Sequence, residues 1–489
     1  MKYQLGESEF DGNEKIHYNP ALVQEEECDP AREAFLHRPI GGLILKNALP
    51  AIASMLFMAL YHMADAVMVG RSLGPEALAS VNILYPILAF FIGLAAMIGA
   101  GGNARVAVLQ GAGKSKQACR VLGLVLSLGT GLGIGCSILT IFALSPILSI
   151  LGTSGSLGEM AGQYLVALYP FFTTMILIFI LEQTVRNDGR PLLATGVMVA
   201  MAILNIFLDY IFLFPLNMGI PGAALATGIA QTLGALIFVA YFLLKKIKRK
   251  PGLQIGLPGG GLEALRTIAI NGSSELFNSI AGGITTFLFN RALLSYIGSD
   301  GVAAFAMVQY LIMFGTVFFL GISIGSQPIL SYNHGAGFTG RVRGTLGRII
   351  TVSLIAAGLF FILLRWQAAG MVSLFIPDYP ETVEITLKAS SMVSWALLLM
   401  PVGIISSMFF TALERAGSSL IIALSRGLVF NVIGLAVFPR IWGETGIWIT
   451  PVFAEAATVL ITIFLLYRWN TNNNSVVDKP LVESLARTE

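Results

Sequence analysis

Uninterrupted apolar runs of roughly 20–30 residues recur from residue 39 to residue 467, and a chain built this way cannot keep its surface wet. Those positions hold only 38 charged side chains, whereas the first 38 residues alone hold 13. Charged residues make up 12% of the whole chain, half the share of about 25% in a soluble domain. The pattern describes a polytopic membrane protein and excludes a cytosolic enzyme or a secreted module.

The runs are continuous rather than alternating in segments of about ten residues, which selects helices over a barrel. Fifty-three glycines suit helices that approach one another closely. Cys28, Cys119 and Cys136 are odd in number and lack zinc spacing. The start of the chain, with Glu7, Glu9 and Asp11, lacks the basic-then-apolar order of a signal peptide, and residues 1–38 read as a solvated tail.

Glycines, prolines and charge clusters divide the apolar region into twelve spans: 40–69, 77–104, 118–144, 160–184, 191–215, 220–244, 263–290, 300–330, 342–364, 383–412, 418–438 and 444–467. Pro50, Pro86, Pro170, Pro328, Pro401 and Pro451 are expected kink points. Basic residues gather on one family of loops, including Lys114, Arg190, Lys245–Lys250 and Arg341, and the positive-inside rule puts both termini in the cytoplasm of a plasma (inner) membrane protein. The net charge of +3 therefore reflects topology, with the lipid bilayer as partner and no nucleic acid.

The halves are related. A shift of 224 positions lays Leu73–Gly123 on Ile297–Gly347 without a gap, and Gly111-Ala112-Gly113 meets Gly335-Ala336-Gly337. Six spans separate the copies, so the repeat is parallel. The expected fold is all-α, with twelve transmembrane helices in two pseudo-symmetric six-helix lobes around a central cavity. Its parts are a cytoplasmic tail (1–38), a first lobe (39–250), a linker (251–262) made flexible by Gly259-Gly260-Gly261, a second lobe (263–469) and a second tail (470–489).

Chemistry in such a chain sits on the ionisable residues inside the spans. Gly113-Lys114-Ser115 lacks the first glycine of a phosphate loop and reads as a bend, and no group of His, Asp or Ser suggests an enzyme; no catalytic residue and no cofactor are expected. Asp65, Asp209, Glu275 and Glu455 lie away from span ends. At 1.5 Å per residue, Asp65, Asp209 and Thr227 fall at one depth on spans one, five and six, and Asn205 shares a face with Asp209. Such an oxygen set suits a hard cation or a proton; the bland alternative is a set of unrelated interface hydrogen bonds. In the second half, Arg426 could pair with a carboxylate, and structural pairing or substrate contact are both open to Glu275, Arg426 and Glu455.

The sequence resembles multidrug and toxic compound extrusion (MATE) transporters of the bacterial drug-efflux type. The likeness is carried by Leu49-Pro50 with Met63–Arg71, Leu73–Ala79, Val185–Pro191, Leu204–Asp209, Gly219–Thr227 and Gln327–Gly337, and covers residues 35–469. It implies an antiporter that exports small organic compounds against Na⁺ or H⁺, with a first-lobe cation site at Asp65, Asn205, Asp209 and Thr227 and a second-lobe acid at Glu275. Neutralising Asp65 and Asp209 is expected to let span one repack about a hinge at Pro50. His62 departs from the Asn common there, and the span-ten aspartates of some members are not found. A flippase for a lipid-linked saccharide, or an exporter of one specific metabolite, is the alternative. A flippase cavity should hold several cationic side chains, whereas basic residues here largely avoid the spans, with Lys46, Arg266, Lys388 and Arg426 as exceptions away from the basic loops. Which compound and which ion, and the oligomeric state, are not written in the sequence.

Overall fold

Long apolar segments in a medium without water must satisfy their backbone internally, and this chain does so with helices throughout. A computed structural model describes residues 29–151, 155–375 and 380–474. Cys28 and most of the N-terminal tail lie outside them. Among the described residues there are sixteen α-helices and no strand.

The first half comprises α1 (Pro30–His37), α2 (Ile40–Leu73), α3 (Pro75–Asn82), α4 (Tyr85–Gly111), α5 (Ser115–Ile150), α6 (Gly155–Leu168), α7 (Phe172–Asn187), α8 (Pro191–Leu213) and α9 (Ile220–Ile247). The second comprises α10 (Gly261–Tyr296), α11 (Ser299–Gly335), α12 (Thr339–Phe375), α13 (Pro380–Ala412), α14 (Ala416–Leu424), α15 (Phe430–Trp442) and α16 (Glu444–Asn474). Pairs α3–α4 and α6–α7 each make one crossing, as do α14 and α15 around a π-helical turn at Ser425–Val429. Twelve crossings result, and eleven are long and apolar enough to span a bilayer by composition alone. The twelfth, α10, carries Asn271, Ser273, Ser274, Glu275 and Asn278 and packs along α4 of the other half. Large exposed side chains such as Phe142 and Trp366 suit a lipid-facing belt.

The expected spans are all present, most of them longer by several residues. Pro50, Pro328, Pro401 and Pro451 stand inside helices, and Pro170 lies in the short 3₁₀ turn joining α6 to α7. Pro86 is no kink: it occupies the first turn of α4, where its missing N–H costs nothing. Two interior prolines escaped the sequence reading, Pro146 in α5 and Pro439 in α15.

The lobes meet along α2, α4, α10 and α11. Their closest approaches use glycine and are reciprocal under the 224-residue shift. A Cβ on Gly111 would sit 2.1 Å from the Tyr332 carbonyl oxygen, and one on Gly335 would sit 2.0 Å from that of Val108. Residues 108 and 332, like 111 and 335, are 224 apart. Gly101 against Ile268 and Gly272, and Gly325 against Asn47 and Ala48, repeat the relation deeper in the seam. Each of these contacts lies in the half nearest the basic loops, called here the basic end. At that end Gly113 and Gly337, with φ of 77° and 78°, cap α4 and α11 in left-handed geometry. The Gly113–Lys114 bend is thus a helix cap, the counterpart of Gly337–Phe338.

Two segments differ from expectation. Residues 29–38, read as part of a solvated tail, form a docked helix. Asp29 accepts from the Ala31 N–H and Pro30 fills the first turn, while Phe35 and Leu36 are buried. Arg341 donates to the Phe35 and Arg38 carbonyls, Asn333 to the Phe35 carbonyl, and Phe35 packs on Tyr332. The linker is pinned rather than free. The N–H groups of Gly256 and Gly259 donate to the carbonyls of Cys119 and Arg120 on α5, and that of Leu253 to Asp188.

Candidate functional site

Three helices converge on the site foreseen in the first lobe. Asn205 and Asp209 project from one face of α8 into the lobe and are wholly buried, while Thr227 on α9 and the half-buried Asp65 on α2 complete it. Asn205 donates to the Thr227 hydroxyl at 3.3 Å. The helix that carries Asp65, α2, packs along α8. Asn205, Asp209 and Thr227 thus come together, with Asp65 on the adjoining helix.

What distinguishes the cluster is its shortage of donors. One oxygen of Asp65, both of Asp209 and the Asn205 amide oxygen are buried and accept no hydrogen bond among the described residues. Burying carboxylates in that state costs several kcal/mol unless a donor or a cation meets them. Two acids, an amide and a hydroxyl make a hard oxygen set; among the described residues no three His, Cys, Asp or Glu side chains group as a transition-metal site. A monovalent cation such as Na⁺ fits these donors.

Further residues surround this site. Tyr61 and Tyr164 are buried within reach of both carboxylate charges, and Gln231 lies beside the Tyr61 hydroxyl. Tyr61 precedes Asp65 by one helical turn and Gln231 follows Thr227 by one, so same-face spacing could have found both. Tyr164, on α6, had no such signal.

Pro50 is more strongly held than its sequence suggested. Proline removes the bond to the Lys46 carbonyl one turn back. The Pro50 carbonyl in turn accepts from Thr195 at 2.7 Å, with Ser54 alongside. Ser54 accepts from Arg186 at 2.9 Å, and Arg186 is paired with Glu182 at 2.7 Å, both buried. The sequence reading passed over this ion pair because it lies near a span end.

In the second lobe, Arg426 donates through Nε to Glu455 at 2.7 Å, as foreseen. Glu275 is not joined to them by any described contact. It stands on α10 one turn before Ser279, which faces Gly93 of the first lobe. Lys46 and Arg266 are exposed, and Lys388 is exposed and paired with Glu444.

Charged contacts also cross the basic end. Arg105 pairs with Glu414 of the other lobe at 2.9 Å, and the Tyr332 hydroxyl donates to the Asn187 carbonyl at 3.0 Å. Lys245 and Tyr241 both donate to Asp188. Burial raises the Asp188 and Glu414 carboxyls above the usual range in spite of these partners.

Comparison with known proteins bears on what this arrangement does. The MatE family model matches residues 50–211 and 279–437, one stretch in each half. The multidrug export protein MepA of Staphylococcus aureus is 25% identical over 437 residues, covering 88% of this chain and 95% of that protein. MepA of Staphylococcus saprophyticus is 25% identical over 420 residues, covering 86% and 92%. The structure of an outward-facing multidrug resistance MATE family transporter of the MOP superfamily superposes with a TM-score of 0.84 over 91% of this chain and 98% of its own, at 25% identity. A MOP superfamily transporter from Pyrococcus furiosus, described as having a binding pocket of reversed polarity, superposes with a TM-score of 0.83 over 90% and 98%, also at 25% identity.

Proposed function

Because this chain belongs to the MatE family, a family of multidrug efflux transporters, we propose that it is a secondary antiporter exporting small, lipophilic organic cations in exchange for Na⁺ or H⁺. The observation that carries the reading is the cluster of four buried, unpartnered oxygens on Asp65, Asn205 and Asp209. Acceptors alone attract a cation, and a lipophilic cation in the cleft competes with the coupling ion for the same negative charge.

The proposed cycle follows from that competition. Na⁺ or a proton entering from the far end neutralises Asp65 and Asp209, with Asn205 and Thr227 completing the set. Neutralisation removes the attraction that holds an organic cation and lets α2 repack about Pro50, whose carbonyl already relies on Thr195 rather than on helix bonding alone. The lobes, residues 39–250 and 263–469, then rock as units to close one end and open the other. On this reading the protein lies in the plasma (inner) membrane as a multi-pass protein, with the basic end and both termini in the cytoplasm. The ion and the organic compound are cargo, and no cofactor is needed.

The test is ethidium efflux from proteoliposomes under an imposed Na⁺ or H⁺ gradient, with Asp65→Asn alongside. Efflux driven by one gradient and lost in the folded mutant is the expected result and names the ion. Efflux by Asp65→Asn at the wild-type rate would remove the site from the mechanism. A folded wild type inert under both gradients would favour the flippase or single-metabolite reading.

A further inference from the structure

The second lobe contains a chamber of about 230 Å³ lined from α10, α11, α13, the π-helical turn, α15 and α16. Four of its lining residues, Thr285, Phe289, Pro451 and Glu455, stand 224 positions after Tyr61, Asp65, Thr227 and Gln231. It is therefore the second lobe's image of the carboxylate site, with a different charge inside. Phe289 replaces Asp65, Ile433 stands at the counterpart of Asp209, and Arg426 appears where the first lobe has Ala202.

The guanidinium is held by one edge only. Its Nε is bound to Glu455, while its two terminal nitrogens make no hydrogen bond among the described residues and are not sealed from the chamber. The backbone is arranged to put it there. Arg426 lies in the π-helical turn at Ser425–Val429, and Asn431 just beyond it donates to the Arg426 carbonyl at 2.7 Å. Gly403 of α13 leaves room for the side chain, since a Cβ there would lie 3.3 Å from Arg426 Cδ. Glu455 keeps one oxygen buried and unpartnered. The amides of Asn278 and Gln309 line the same chamber, and their residues are exposed.

We propose that this chamber is a second ligand site, taking the carboxylate of a small aromatic acid on the free edge of Arg426. A guanidinium with two unused N–H groups side by side matches a carboxylate bidentately. A cation is disfavoured, because Arg426 already neutralises Glu455 and repels a second positive charge. The stacked Phe289–Phe305 pair and neighbouring apolar residues supply a wall for a ring. The proposal goes beyond the antiport reading and does not depend on it.

Equilibrium dialysis of 2-naphthoate with the detergent-solubilised full chain, in the absence of any gradient, tests it. Saturable binding of one naphthoate per chain is expected, with the neutral 2-naphthamide failing to compete. Arg426→Lys, which keeps the charge but loses the fork, should bind at least about tenfold more weakly. Glu455→Gln removes the competing carboxylate and should bind about tenfold more tightly, a gain that a purely structural pair would not produce. If Arg426→Met fails to fold because Glu455 is left alone, the double variant Arg426→Met/Glu455→Gln takes its place and should not bind. No saturable binding by folded wild type, unchanged binding by the double variant, or equal competition by naphthamide would each overturn the proposal. Because no gradient is used, a protein that binds naphthoate but does not export ethidium would refute the antiport reading alone.

Discussion

Thr227 occupies an unusual place among the oxygens of the first-lobe site, since it alone of the four residues satisfies a neighbour within the set: its hydroxyl accepts from Asn205 Nδ2. Removing that hydroxyl therefore does two things at once. It takes an oxygen from the surroundings of the proposed cation and frees the buried amide that is oriented by it. Thr227→Val should weaken the apparent affinity for the driving ion by about tenfold, while Thr227→Ser, which keeps the oxygen, should stay within about twofold. Efflux rate against driving-ion concentration measures both, and equal loss in the two variants would mean that side-chain volume matters and the oxygen does not. This site was legible in the sequence because carboxylates are scarce inside the spans and because helix rise converts position into depth. Its aromatic wall was not: a buried Tyr164 looks like any other apolar position until α6 is packed against α9 and α3. The Arg426–Glu455 pair was legible as a possibility for the same reason as the aspartates, but the chamber beside it depends on a π-helical turn that no residue pattern announces.

At the scale of elements, α2 carries both the proposed hinge and the proposed ion ligand, with Pro50 in its basic half and Asp65 some four turns further on. A proline in a helix is a weak point unless its surroundings fix the bend, and here Thr195, Ser54, Arg186 and Glu182 form a chain of polar contacts from α8 and α7 to the Pro50 carbonyl. Arg186→Met leaves Glu182 charged and alone in the interior and should cost about 3–5 kcal/mol of stability. Arg186→Met/Glu182→Met removes both charges and should recover most of that loss, yet leave the Pro50 region less firmly positioned. Thermal unfolding in detergent measures the first effect, and ethidium efflux by the recovered double variant the second. Full efflux by the double variant would show that the pair serves folding alone. The contrast with α1 is instructive about what a sequence hides. Eight residues of mixed polarity cannot form a helix alone, so Pro30–His37 reads as tail. Its stability comes from Asn333 and Arg341, about three hundred positions away, and from Tyr332 beneath Phe35.

The whole molecule is a duplicated body closed at one end, and its symmetry was visible before its contacts were. The 224-residue shift came from a run of matched residues, but the reason those glycines recur is steric. Gly111 and Gly335 each lie against the other lobe's backbone, at residues 332 and 108, so each half supplies both a glycine and the carbonyl it must admit. A methyl group at either position would meet a carbonyl oxygen at 2.1 or 2.0 Å, and neither a backbone carbonyl nor a packed helix can retreat without parting the lobes. The clash exists only while the basic end is shut. Gly111→Ala and Gly335→Ala should therefore raise the closed form by about 1–3 kcal/mol each while leaving the separate lobes intact. Spin labels placed across the seam at the basic end should report a longer distance in either variant than in wild type, with ethidium efflux reduced because one of the two alternating states has become scarce. Since the two contacts close the same interface, the second substitution should add less than the first: once the lobes have parted at Gly111, the space beside Gly335 has already opened. Strict additivity would instead mean that each helix pair moves on its own, and rocking of the lobes as units would have to be abandoned.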